Sequence, residues 1–95
     1  MTGNERFSLW IKACRECHTM VYPLEGSGDH GLYKTWNEYE YRNSYFRTAP
    51  IYRVWIHGMD AYCGLDIRLA YSVWEHNKNS AIQEGKNGQI SYRYR

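Results

Sequence analysis

Cys14-Arg-Glu-Cys17-His18 is the sharpest chemical feature of this sequence. Two thiolates separated by two residues can hold one side of a tetrahedral Zn²⁺, and further donors must close the other side. No second C-x-x-C follows. Cys63, His18, His30, His57 and His76 are the remaining candidates, and none of them falls in a paired ligand spacing. Read as C-x-x-C-H, the same run is a c-type haem attachment site, with Met20 or Met59 as the second axial ligand. Haem attachment requires export and suits a helical wrap, and this sequence shows neither pattern. Thioredoxin-type redox chemistry needs the pair between a strand and a helix, a context the local pattern lacks. The plain alternative is a pair of free thiols on a β-hairpin. Cys14, Cys17 and Cys63 therefore stand as candidate metal ligands, with zinc as the cofactor to test.

Acid–base chemistry is thinly represented. His57 with Asp60, and His76 with Glu75, are the pairs near enough in sequence to meet in space. Cys17 beside His18 is not a nucleophile–base arrangement, because adjacent strand residues point to opposite faces. No G-x-S-x-G, phosphate loop or H-E-x-x-H occurs. The expectation is a binding protein and not an enzyme.

Aromatic residues supply the positive side of that expectation. Ten Tyr, four Trp and two Phe make up 17 % of the chain, more than a core of this size requires. Tyr and Trp join a large apolar area to a polar tip, which suits partner surfaces as well as half-buried strands. Trp10, Trp55, Trp74 and Tyr45 are the candidate partner-binding residues. Stacked against single-stranded bases, Trp10, Trp55 and Trp74 would need Arg47, Arg53 and Arg68 on the same face. A formal net charge of +2 argues against broad phosphate-backbone binding, which needs a basic stripe. A protein partner is the first expectation, nucleic acid a weaker one, and a small-molecule substrate none.

The elements that must position these residues read as mostly β. Phe7, Leu9 and Ile11 alternate with Ser8, Trp10 and Lys12, and Tyr52, Val54 and Ile56 alternate with Arg53, Trp55 and His57. Ile67, Leu69, Tyr71 and Val73 alternate with Arg68, Ala70, Ser72 and Trp74, and Ile90, Tyr92 and Tyr94 repeat the pattern. No window shows a convincing helical stripe. Residues 25–31 read as a loop, residues 58–60 as a turn and residues 85–88 as a hairpin turn. Residues 34–47 are polar-aromatic and fit strand or loop. At 95 residues the chain is one small domain, with a soft division into halves 1–57 and 58–95. The fold expected is small antiparallel hairpins, as two ribbon-like halves or one small barrel or sandwich. No run of about 18 apolar residues is present to span a membrane. Three cysteines, an odd number, and no leader pattern point to an intracellular location, nucleus or cytoplasm.

A longer window around the cysteines adds a resemblance. Cys14-Arg-Glu-Cys17-His-Thr-Met20-Val21-Tyr22-Pro23 resembles the N-terminal zinc ribbon of the ninth, small subunit of RNA polymerase II. Leu32-Tyr33 matches that family's Leu-aromatic pair, and Ile51 to Ile56 its inter-ribbon strand. Its second cysteine pair falls here on Trp36 and Tyr39, and Asp60-Ala-Tyr-Cys63-Gly64 keeps one cysteine of the second ribbon. Three of eight ligand positions carry Cys. The resemblance implies eroded metal sites and a non-catalytic accessory role in transcription, with an RNA polymerase as partner. Related transcript-cleavage factors carry an adjacent Asp-Glu pair, and this sequence has no adjacent acidic pair. The runner-up is a phage or mobile-element inhibitor that blocks a host defence or replication enzyme with a Tyr/Trp-rich surface.

Overall fold

Thr2 opens a helix that the alternating pattern hides. Its hydroxyl accepts from the Glu5 amide at 3.1 Å while the Glu5 carboxylate accepts from the Thr2 amide at 2.7 Å, a complete capping box. Helix α1 runs Gly3–Glu16. Phe7, Trp10, Ile11 and Cys14, spaced i, i+3, i+4, i+7, turn toward the body, while Leu9 is left 53 % exposed. His18, with φ 56°, takes the left-handed conformation that ends the helix and turns the chain into the first strand.

The computed structural model describes residues 2–80. After α1 come β1 (Thr19–Ser27), β2 (His30–Tyr41), β3 (Ser44–Arg47), β4 (Ile51–Ile56), β5 (Met59–Gly64) and helix α2 (Ile67–Asn77). The fold is mostly β: one antiparallel sheet of five strands in the order β1-β2-β4-β5, with β3 paired to the outer end of β2. It does not close into a barrel. The turn that divides halves 1–57 and 58–95 lies inside the β4–β5 hairpin, whose strands pair Ile56 with Met59 and Tyr52 with Gly64.

Each helix covers one face of this sheet. Alternation along β2 and β4 sends Leu32, Val54 and Ile56 to one side, where Ala70 and Trp74 of α2 complete the core with Tyr52. Tyr33, Arg53 and Trp55 point to the other side, under α1. A bulge at Pro23/Glu25 turns Leu24 and Glu25 toward α2, and the Trp74 indole N–H donates to the Glu25 carboxylate at 2.9 Å.

Two stretches read as strands are therefore helices. The alternation at Phe7, Leu9 and Ile11 belongs to α1, and that at Ile67, Leu69, Tyr71 and Val73 to α2. Asp66 caps α2 by accepting from the Arg68 and Leu69 amides, and the residues buried are Ala70, Trp74 and Asn77, not Ile67 and Leu69. Dense aromatic and aliphatic residues satisfy both periods at once, and the caps decide. The loop expected over residues 25–31 is a two-residue turn between Ser27 and His30. The ambiguous stretch 34–47 is a strand, a turn at Arg42 and Asn43, and a second strand. The hairpin and strand expected over residues 85–94 lie outside the described residues.

Gly58 shows how tightly α1 sits on the body. Its φ of 83° is left-handed, and a Cβ there would run into the Cα of Gly3 at the start of α1. Gly58→Ala is expected to cost about 2–4 kcal/mol, from left-handed strain and overpacking together. Urea unfolding followed by far-UV circular dichroism checks it, and a loss below about 0.5 kcal/mol, the range of a neutral surface change, would rule out that close approach.

Candidate interaction surface

Beyond the body, the outer end of β2 and the whole of β3 form an arm. Glu38 pairs with Arg47, Tyr39 with Phe46, Glu40 with Tyr45 and Tyr41 with Ser44. Arg42 and Asn43 make its tip with φ of 54° and 66°, the positive values a type I′ hairpin turn requires. Four paired positions extend about 14 Å at strand rise. Directly opposed residues share a face, so Tyr39, Tyr41 and Phe46 form one aromatic face. Tyr39 and Phe46 stack at 5.5 Å, and all three rings are exposed. Glu38, Glu40, Tyr45 and Arg47 occupy the other face, where Tyr45 is 78 % exposed.

Charge on the arm is balanced, with Glu38 and Glu40 against Arg42 and Arg47. Arg47 reaches Glu38 at 3.3 Å and lies 5.6 Å from the centre of the Trp36 ring. Lys34 also lies 5.6 Å from that ring, whose indole N–H donates to Glu38 at 2.9 Å. Arg42 sits 5.3 Å from the Tyr41 ring at the tip. Exposed ion pairs of this kind add little to stability, but they hold the rings in place.

The four partner-binding candidates separate by environment. Tyr45 is fully presented on the arm. Trp55 is only 5 % exposed and lies in a ring cluster with Phe7, Trp10 and Tyr33, at centroid distances of 5.5–5.8 Å. Trp10 is half-buried in that cluster, with Arg53 5.3 Å from its ring. Trp74 is buried on the opposite face of the sheet. Trp10, Trp55 and Arg53 thus share one side of the sheet, while Trp74 is buried on the other, so the three Trp do not form the single exposed face that base stacking would need. Tyr39, Tyr41 and Phe46 are exposed rings that the sequence did not single out. The alternation of Tyr39 and Tyr41 with Glu38 and Glu40 is their signal in the sequence, weakened because the arm has no buried side.

Cys14 and Cys17 sit at the end of helix α1 and not on a hairpin. Cys14 is buried under α1, and Cys17 is the exposed cap residue at the end of α1. Cys63 is exposed on β5 directly opposite Arg53, and Cys14, Cys63 and Arg53 all line a cavity of about 210 Å³. Burial pushes the Cys14 thiol up, against the pull of the nearby Arg53. Among the described residues no three His, Cys, Asp or Glu side chains gather as metal ligands. Iodoacetamide should modify Cys17 and Cys63 promptly and Cys14 at least about tenfold more slowly, because the reactive thiolate at Cys14 is both rare and covered. Peptide mapping over a time course reads the order, and equal rates would contradict the burial.

The acid–base pairs are not formed. Asp60 is bound to Arg53 at 2.6 Å and Glu75 to Lys78 at 2.9 Å. His57 instead stacks on His30 at 4.2 Å, and their Nε2 atoms meet the Ser80 and Lys78 carbonyls at 2.7 Å each. The His57 amide donates to His30 Nδ1 at 3.2 Å, so His30 must carry its proton on Nε2 to satisfy both contacts. His76 Nδ1 meets the Ser72 carbonyl. Tyr33 donates to the Gly28 carbonyl at 2.7 Å, and burial, then Asp29, pushes its phenol up to about 12. These groups hold the fold together. No helix among the described residues is long and apolar enough to cross a membrane. No protein-family model, no curated protein and no solved structure matches this chain.

Proposed function

We propose that this chain is a non-catalytic binding protein whose β2–β3 arm grips a protein partner. The observation that carries the reading is the aromatic face of Tyr39, Tyr41 and Phe46, exposed on a hairpin that projects from a body with its own core. Large rings with few rotatable bonds lose little entropy when fixed, and Tyr with Arg is the composition that dominates binding energy at protein interfaces. Glu38 and Glu40 offset Arg42 and Arg47, which favours a protein surface over a phosphate backbone. The matching partner offers an apolar depression for the rings, with acceptors at its rim for tyrosine hydroxyls and for Arg42.

An RNA polymerase is the first partner to test, because the motif around Cys14 and Cys17 resembles a polymerase subunit. A host defence or replication enzyme is the second. A photo-cross-linking residue placed at Tyr45, with another at Ser8 on the far side of α1 as control, tests the reading in cells of the source organism. The expected result is one protein adduct from position 45 and none from position 8. Adducts to RNA or DNA, or equal labelling from both positions, would overturn it.

A further inference from the structure

A second surface lies on the opposite side of the body from β5, where β1 is the last strand of the sheet. Among the described residues its outer edge pairs with no strand. Pro23 fixes which groups face outward. Proline has no amide proton, so a sheet accepts it where its nitrogen points away from the ladder, and here that is away from β2. By alternation the amides and carbonyls of Thr19 and Val21 point to the same outer edge. An open row of donors and acceptors is a template for another extended segment.

Beside that edge, α1 leaves a groove of about 660 Å³. Phe7 and Ile11 of α1 and Tyr33 of the sheet give it an apolar wall and floor, while Val21 and Pro23 lie along its strand side. At the Thr19 end stand Arg15 and His18, both exposed, and no Asp or Glu lines the groove. Charge is thus one-sided and placed at one end. A segment lying antiparallel to β1 finishes at the Thr19 end, so its C-terminus arrives at Arg15 and His18.

We propose that this groove takes an extended peptide with a free C-terminal carboxylate, added antiparallel to β1 as an edge strand. Thr19 and Val21 supply the main-chain hydrogen bonds, an apolar side chain of the peptide enters between Phe7 and Ile11, and Arg15 with His18 receives the carboxylate. The site is separate from the arm, and the two readings fail separately.

The probe is a displayed library of random octapeptides with free C-termini, followed by the consensus peptide made as acid and as C-terminal amide. Fluorescence anisotropy on the full chain measures affinity. The acid form is expected to bind at least about tenfold tighter than the amide, and Arg15→Glu to erase that preference. Val21→Pro removes an outward amide and should weaken both forms about tenfold or more, while Arg68→Gln, exposed on α2 away from the groove, leaves binding unchanged. Failure to select any peptide, the outcome if another part of this chain already fills the groove, overturns the proposal. So does equal binding of acid and amide, or an Arg15→Glu chain that still discriminates between them.

Discussion

Trp74→Ala is expected to lower the unfolding free energy by about 3–5 kcal/mol. Trp74 is 4 % exposed and fills the core between α2 and the sheet with Leu32, Tyr52, Val54, Ile56 and Ala70. Alanine would leave a cavity that neighbours on a rigid sheet cannot close. The loss is also polar, because the indole N–H holds the Glu25 carboxylate that the β1 bulge turns inward, at 2.9 Å. The ring lies 5.0 Å from His30 as well, so its removal loosens the stacked His30–His57 pair. Trp74→Phe keeps most of the volume but not the donor, and should cost about 1–3 kcal/mol. A domain of this size holds only about 5–15 kcal/mol in total, so the alanine chain is largely unfolded if the wild type sits near the lower bound. Urea titration measures both. A loss under about 1 kcal/mol for alanine would mean that α2 does not pack on the sheet as described.

That α2 is a helix at all was the least legible part of the fold. Ile67, Leu69, Tyr71 and Val73 alternate as a strand would, and β-branched and aromatic residues strengthen the impression. Asp66 one position ahead, like Thr2 with Glu5 ahead of α1, carries the contrary signal, since a side-chain cap has meaning only for a helix. Phe7, Trp10, Ile11 and Cys14 also trace a helical stripe once the half-buried Trp10 is counted as apolar. The mostly β class and strand β4 were legible because Val54 and Trp55 are buried on both faces of a central strand. The arm was ambiguous for the opposite reason. With neither face covered there is no polar alternation to read, and its turn at Arg42-Asn43 lacks the glycine that usually marks a hairpin. Among the candidate partner-binding residues, Tyr45 is the most exposed, on the arm. Trp55 and Trp74 were drawn into the core by their size.

The second large effect concerns the arm. Changing Tyr39, Tyr41 and Phe46 together to threonine should weaken binding to the partner captured through position 45 by at least about 100-fold. Threonine keeps strand propensity, so the hairpin itself is retained. All three rings are exposed and none belongs to the core cluster, so stability should change little, within about 0.5 kcal/mol per site. The split is what matters. Lost affinity with an unchanged urea midpoint assigns the rings to binding, whereas loss of both would make them a structural part of the sheet. Glu40→Lys is a milder companion. It makes the arm basic, and affinity for single-stranded RNA, measured beside that for the captured partner, is expected to rise from none to weak.

The central claim is that the arm is the contact surface and the two-helix body its support. Amide hydrogen exchange of the chain, free and bound to its captured partner, tests this most directly. Glu38–Tyr41 of β2 and Ser44–Arg47 of β3 should gain protection on binding, with β4 and α2 unchanged. Protection confined to the body, with the arm exchanging as freely as before, would contradict the account.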